Sequence, residues 1–353
     1  MGVSTQTVIS WVFAISLGAG LSSIFLSLWM RMPVAMAWSA PGTVLLISIG
    51  TSLSLSEIVA AYLLVAIGLV LIGVSGLFEK LIKILPPAIT NGMMAGILFG
   101  FGLRAAQGFA SDPMIVALLV AAFVVLTALV PRYAILLLLG FAVLLTTLIY
   151  DVPLGDLGLT FAVPMLEMPQ FSATAAASLA LPLLITTLSG QYLPGVAILR
   201  ANGFAVSARP ILVVGGIASV AAAFFGGISI ALASITAAFC ASPDSHENPD
   251  RRYIAGVACG IFFCLGGIFS GTIIAFLILL PAAVIALLAG LALLPAIQKF
   301  TTEMLSGEDV QPGLLTFLFT TSGVTMFGIG SAFWGVIVGL ASALVLRILR
   351  RWR

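Results

Sequence analysis

Thirteen apolar runs, separated by short polar or charged joints, take up nearly the whole chain. They lie at about 8–30, 34–49, 57–76, 88–106, 114–130, 133–149, 177–199, 210–226, 230–241, 252–271, 281–297, 313–329 and 331–349. A helix needs about 20 residues to cross the hydrocarbon core, so most of these runs predict transmembrane helices. Two of them, 34–49 and 230–241, are too short for that. Both open on small, alternating residues: Pro33-Val-Ala-Met-Ala-Trp-Ser-Ala-Pro-Gly-Thr43 and Gly227-Ile-Ser-Ile-Ala-Leu-Ala-Ser-Ile-Thr236. Each predicts a short strand leading into a half-length helix. Two broken helices at matching places in two halves of a membrane protein are expected to face one substrate site.

The halves are related by an internal repeat. Pro87-Ala88, followed by Ala95-Gly96, recurs as Pro281-Ala282, followed by Ala289-Gly290, at an offset of 194. Gly73 before Pro87 recurs as Gly267 before Pro281, and Ala37-Trp38-Ser39 aligns with Ala233-Ser234 at an offset of about 195. Carried along the chain, the offset leaves segment 177–199 without a partner. The expectation is a seven-plus-seven repeat whose first transmembrane helix is missing. Seven is odd, so the two halves have opposite topology, the inverted-repeat architecture of secondary transporters.

Composition agrees with the pattern. Hydrophobic residues make up 61% of the chain, charged residues 7%, and the mean hydropathy is +1.27; a soluble domain carries about 25% charged residues. The fold class expected is therefore an all-α polytopic membrane protein with two short strand/half-helix segments. No cleavable signal is expected, because the first apolar run lacks a basic leader and a small-residue cleavage site. With Arg347, Arg350, Arg351 and Arg353 in the cytoplasm, alternation through the segments leaves only Arg104 of the 14 basic residues outside. That is a strong positive-inside pattern. It predicts a multi-pass protein of a bacterial inner membrane with a cytoplasmic C-terminus.

Candidate chemistry is sparse. Cys240, Cys259 and Cys264 sit in apolar stretches as small buried residues and form no metal spacing. His246 lies in the polar loop 242–252. No His, Asp or Glu falls in the segments around the strands, so neither an enzyme, a metal centre nor a cofactor is expected. The nearest carboxylate, Glu57, stands at the outer end of its helix, which leaves the carrier of any coupled proton unassigned. Pro41-Gly42 breaks the first short segment, with Ser39 near the N-cap position. Ser234 takes the same place in the second, with Ser229 in its lead and Thr236 one turn in. Both helix starts would point free N–H groups at a common anion site. Thr186, Thr187, Ser189, Gln191 and Tyr192 make segment 177–199 polar for a span. Gln191 can donate to and accept from a carboxylate and is the leading ligand candidate, with interhelical hydrogen bonding as its structural alternative. The three glycines Gly92, Gly96 and Gly100 predict close helix packing.

Several blocks now resemble a known family. Arg31-Met-Pro-Val, Ala37-Trp-Ser-Ala-Pro-Gly42, Leu193-Pro-Gly-Val-Ala-Ile-Leu-Arg200, Ala233-Ser-Ile-Thr-Ala-Ala238, Pro249-Asp-Arg-Arg-Tyr253 and Gly328-Ile-Gly-Ser-Ala-Phe-Trp-Gly335 look like the benzoate/proton symporter (BenE-type) family, along essentially the whole chain. The resemblance implies a uracil-permease-like fold. It divides into a core (1–87 and 177–280), a gate (88–150 and 281–353) and an extracellular linker (151–176). It also implies import of a small aromatic carboxylate with a proton by alternating access. The substrate-binding residues would be Trp38, Ser39, Gly42, Gln191, Tyr192, Ser229, Ser234 and Thr236, with Trp38 and Tyr192 as aromatic walls. Many members carry a His and an Asn near the second strand where this chain has Ile228 and Ala231, and an Asn where it has Tyr192. Its site is more apolar. The expected partners are the substrate, a proton and the lipid bilayer, with a homodimer as a candidate assembly and no nucleic acid. The alternatives are a transporter of another organic anion or a nucleobase, or a truncated, non-transporting member.

Overall fold

A computed structural model describes residues 3–39, 42–43, 45–46, 53–80, 86–131, 133–150, 158–306, 309–324, 326 and 331–351. Among them, helix α1 (Thr5–Met30) leads to strand β1 (Met36–Trp38), and α2 (Leu55–Ser75), α3 (Pro87–Ser111), α4 (Pro113–Leu129) and α5 (Ala134–Tyr150) complete the first half. The second half has α6 (Ala173–Ala201), α7 (Ala208–Ala223), strand β2 (Ile230–Leu232), α8 (Ser234–Ala241), α9 (Tyr253–Ile268), α10 (Ser270–Leu279), α11 (Ala282–Leu305), α12 (Val310–Thr321) and α13 (Ser331–Arg351). Among the described residues, six helices are long and apolar enough to cross a membrane. Over their described residues, the short segments 34–49 and 230–241 are a strand followed by helical turns, as the pattern predicted.

One helix was not marked by polarity. The apolar run from Tyr253 to Leu280 breaks at Phe269 (φ −93°, ψ 18°), and α10 starts on Ser270-Gly271. At ten residues α10 is about 15 Å long and cannot span a bilayer. The linker, over its described residues 158–172, is an extended strap. Its backbone N–H groups reach four helix ends: Ala162 to Ile268 O (3.0 Å), Met165 to Ser10 Oγ (2.8 Å), Glu167 to Phe224 O (2.7 Å) and Gln170 to Ser56 O (3.0 Å). Those ends of α1, α2, α7 and α9 therefore share one side.

The buried apolar side chains fall into separate clusters. The largest draws on α1, β1, α2, α6, α7, β2 and α8; the others join α3, α4, α5 and α11, or α3 with α11, and α3 with α13. Two helix pairs hold the first body together, α1 on α9 and α2 on α7. Their contacts match one for one. A Cβ on Gly20 would lie 2.6 Å from Gly260 O and 3.0 Å from Cys264 N; one on Gly216 would lie 3.0 Å from both Ala66 O and Val70 N. Gly73 faces Leu212 Cβ (3.0 Å) and Val213 N (3.1 Å), as Gly267 faces Ser16 Cβ (3.1 Å) and Leu17 N (3.4 Å). In the other body, Gly92 and Gly96 set α3 against the α12 backbone, the latter 2.9 Å from Phe317 O. Gly100 faces open space and takes no part.

Opposite the strap, Arg252 is 6% exposed and clamps the loop that follows α8. Its Nε donates to His246 O (2.8 Å), Nη1 to Ala241 O (2.8 Å) and Nη2 to Glu247 O (3.3 Å). Arg252→Ala strands three carbonyls and should cost about 2–4 kcal/mol. The expected reading is a lower melting temperature of the detergent-solubilised protein that Arg252→Lys does not restore, since Lys lacks the planar fork.

Candidate functional site

The two strands cross antiparallel inside the first body, Met36 opposite Leu232, Ala37 opposite Ala231 and Trp38 opposite Ile230. The ladder continues through Ala233 N to Ala35 O (2.8 Å) at one end and Ser39 N to Ser229 O (2.9 Å) at the other. At membrane depth every backbone polar group needs a partner, and serines on the flanking helices supply the rest. Ser23 Oγ of α1 accepts from Met36 N (2.8 Å), and Ser27 Oγ accepts from Val34 N (3.2 Å) while donating to Val34 O (3.0 Å). On α7, Ser219 Oγ accepts from Ile230 N (2.8 Å).

Ser39 begins the first half-helix. Its Oγ accepts from Gly42 N (3.3 Å), Thr43 N bonds to Ser39 O (3.0 Å), and Gly42, Thr43, Leu45 and Leu46 are helical. Pro41 lies outside the described residues. Gly42 is buried, and a Cβ there would run into the Leu183 side chain of α6. The hydroxyls of Ser39, Thr187 and Ser229 form a fully buried chain, with links of 2.9 and 3.3 Å. Thr187 was not among the expected site residues. The signal was available, one turn before Gln191 in the same polar stretch.

Helix α6 carries Thr187 and Gln191 alongside β2. It is continuous but has wide turns at Ala176–Ala180 and Leu188–Tyr192, the second closed by Leu193 N to Leu188 O. Pro194 has no N–H for the Gly190 carbonyl four residues back, and the wide turn accommodates the lost bond. Such turns are frequent at functional sites. This one packs against β2 on one side and α3 of the other body on the other. Gln191 sits in it at 7% exposure, and its amide has no hydrogen bond among the described residues.

Ser234 is the first residue of α8, is 2% exposed, and its hydroxyl also lacks a partner among the described residues; Thr236 is half-buried. Contrary to the expectation from the sequence, Ser234 and Ser39 do not converge on one point. The register puts them at opposite ends of the ladder, roughly 15 Å apart at about 3.3 Å per residue. Along α6, Thr187 meets the Ser39 end and Gly195 packs on Leu232 near the Ser234 end. Gln191 falls between them.

The two aromatic candidates stand elsewhere. Tyr192 is fully buried, its Oη donates to Ile230 O (3.1 Å), and its ring meets Phe78 edge-on at 6.4 Å. It braces β2 from behind. Trp38 stacks edge-on against Phe263 (5.8 Å) and borders a cavity of about 550 Å³ between α1 and α9. That cavity takes in Trp38 and none of the other seven candidates. Glu57 is held in a capping box, with Ser54 N and Oγ each 2.9 Å from Oε2.

The fold as a whole is similar to those of solved membrane transporters. The fold is similar to the overall structure of SLC26A9, with a TM-score of 0.62 and 12% identity over 98% of this chain; the chain spans 65% of that protein's length. It is similar as well to the transmembrane domain of a cyanobacterial bicarbonate transporter, BicA, with a TM-score of 0.58 and 16% identity over 96% of this chain and 95% of that one. The class is thus a mostly helical, polytopic membrane protein of a transporter fold. Among curated proteins, the chain is 44% identical to the benzoate membrane transport protein of Acinetobacter baylyi over 345 residues, 98% of this chain and 88% of the relative. It is 35% identical to the inner membrane protein YdcO of Escherichia coli over 349 residues, 99% of this chain and 89% of the relative. The pattern of the family described as benzoate membrane transport protein (BenE) matches residues 1–345, and the chain belongs to that family. It is a membrane transporter and not an enzyme.

Proposed function

We propose that this transporter imports a small aromatic carboxylate together with a proton, bound beside Gln191 between the two half-helix starts. The observation that carries this reading is the Gln191 amide, buried and without a described partner on a wide turn at the junction of the two bodies. Its nitrogen and oxygen are not among the fully enclosed, unpaired polar atoms of the described residues, so they stay open to hydrogen bonding by a ligand carboxyl group. The N–H groups at the Ser39 and Ser234 ends add positive potential from both sides. Trp38 and Tyr192 act through the strands, the second as a brace. The family and the name of the Acinetobacter relative favour a benzoate-like substrate.

No described residue of the site is a carboxylate, and Glu57 is occupied as a helix cap. The substrate is held as the anion, and the coupled proton is carried outside these described site residues. The first body is the core (1–87 and 177–280) and the second the gate (88–150 and 281–353), and their relative movement exposes Gln191 to one side and then the other. The membrane is the bacterial inner membrane, with the C-terminus and the Arg252 clamp on the cytoplasmic side. The name of the Escherichia coli relative and the one-sided distribution of basic residues favour this.

The matched pairs Gly20/Gly216, Gly73/Gly267 and Ser23/Ser219 support an inverted repeat relating α1 to α7 and α2 to α9. Under that symmetry the C-terminal turns of α6, which pack against α8, have a mate position. That position would lie against the first half-helix, whose Thr43 and Leu46 line the cavity beside Trp38, Phe262 and Phe263.

Uptake of labelled benzoate into proteoliposomes with an acid exterior tests the reading. Accumulation should follow the proton gradient and collapse with a protonophore. Failure to accumulate in any form, including one extended by an N-terminal apolar helix, removes the proposal. Accumulation only in the extended form assigns the helix an essential part.

A further inference from the structure

The cavity of about 550 Å³ between α1 and α9 stands apart from Gln191 and from the buried hydroxyl chain. Its walls are largely aromatic: Trp11 of α1, Trp38 of β1, and Phe262 and Phe263 of α9. Phe262 is 73% exposed and Trp38 39%, so the cavity opens at the flank of α9, toward lipid. Two hydroxyl side chains on its wall stand out. Tyr62 of α2 is 2% exposed and Ser16 of α1 is 5% exposed, and neither hydroxyl has a hydrogen bond among the described residues. Neither oxygen is among the fully enclosed, unpaired atoms, so both stay open to the space their side chains line. A helical serine can bond back to the carbonyl four residues earlier, as Ser22 does to Gly18 O (2.6 Å). Ser16 makes no such bond.

We propose that this cavity is a second binding site, for an uncharged, fused-ring aromatic molecule that bears a hydroxyl group. An apolar cavity of about 150 Å³ already takes benzene. Ligand sites of roughly 300–1,000 Å³ combine apolar and aromatic walls with a few placed polar groups, and this cavity has that make-up. None of its described lining residues is charged, so a carboxylate would enter without a partner and is kept out by the cost of its desolvation. A hydroxyl group both donates and accepts and can pair with Tyr62 or Ser16. A lipid acyl chain would fill the space and leave both hydroxyls unpaired. Uncharged molecules dissolved in the bilayer reach the opening from the side. The proposal does not depend on where the transported substrate binds.

The test is equilibrium dialysis of radiolabelled 2-naphthol against the full-length protein in lipid nanodiscs, with empty nanodiscs as the blank. Saturable binding is expected. Naphthalene, which lacks the hydroxyl, should bind about 5-fold more weakly, the loss expected for one net hydrogen bond. Tyr62→Phe combined with Ser16→Ala should erase that difference and leave naphthalene binding unchanged. Gly266→Leu should abolish the binding of both. Gly266 lines the cavity, and a Cβ there meets nothing nearer than Ile273 Cδ1 at 4.0 Å, so the new side chain fills the space without disturbing the fold. Binding no greater than to empty nanodiscs, or full affinity in Gly266→Leu, overturns the proposal. So does equal affinity of the wild type for 2-naphthol and naphthalene, which would describe a pocket for acyl chains. Gln191→Ala should bind 2-naphthol as the wild type does; loss of binding there would put the ligand in the transport site and also overturn the proposal. Benzoate uptake is not a readout here, so a failure of the transport reading leaves this result standing.

Discussion

Gln191→Ala should weaken benzoate binding and uptake at low substrate concentration while leaving the amount and melting temperature of the protein in the membrane near wild type. A hydrogen bond to a charged group contributes about 1.5–3 kcal/mol, which corresponds to a loss of affinity of roughly 10- to 100-fold. In the protein without ligand the amide has no described partner to abandon, so its removal should not destabilise the fold. This separates the ligand role from an interhelical one. If Gln191 only bonds a neighbouring helix, the variant should melt lower while the surviving protein keeps its affinity. Tyr192→Phe is the contrasting change. It frees Ile230 O from the Tyr192 hydroxyl (3.1 Å) and should lower stability by about 1 kcal/mol with little effect on affinity. Equilibrium binding of labelled benzoate and thermal unfolding, measured on the same preparations, distinguish the two patterns.

Gly20→Leu should prevent assembly of the core. The new Cβ would meet Gly260 O at 2.6 Å and Cys264 N at 3.0 Å, both of them backbone atoms of α9. A flexible side chain could swing aside, but a helix backbone has to move as a body. Overpacking of this kind costs about 1–3 kcal/mol where side chains can adjust, and at least ~3 kcal/mol is expected where the whole α1–α9 contact must open. The symmetry makes a further demand: Gly216→Leu should be comparably damaging, since its obstacles are Ala66 O and Val70 N at 3.0 Å each. Gly100→Leu, with nothing within 4 Å, should be tolerated. Monodisperse yield by fluorescence-detected size exclusion orders the three variants. Normal yield for Gly20→Leu would mean that the close α1–α9 approach is not a feature of the folded protein.

Much of this arrangement is legible in the sequence because lipid imposes simple rules. Apolar length marks most helices, and proline, glycine and serine mark the places where helices break. The crossed strands follow from Val34–Ala40 and Gly227–Ala233 for that reason. Helix α10 is invisible to such reading, since the break at Phe269 carries no polarity. Within the site, the chemical type of Gln191 is readable while its partners are not. Tyr192 was expected beside the ligand because it follows Gln191, yet consecutive residues on a helix point about 100° apart; its hydroxyl reaches Ile230 O behind the strand. Ser39 and Ser234 were expected to converge because both start half-helices. Antiparallel pairing places equivalent ends at opposite limits of the ladder, and only register reveals that. Thr187 and the cradling serines Ser23, Ser27 and Ser219 look like ordinary small residues until the strands are set beside them.

Those serines also bear on the order in which the protein is made. Ile230 enters the chain 194 residues after Met36, so at about 5–20 residues per second the first strand waits roughly 10–40 s for its partner. An open strand edge cannot persist in hydrocarbon. Ser23 and Ser27, on the helix immediately upstream, are synthesised before β1 and already occupy the amides of Met36 and Val34. The nascent first half thus supplies a permanent partner for one edge of β1, and only the edge bonded through Ala35 O and Ser39 N waits for the second strand.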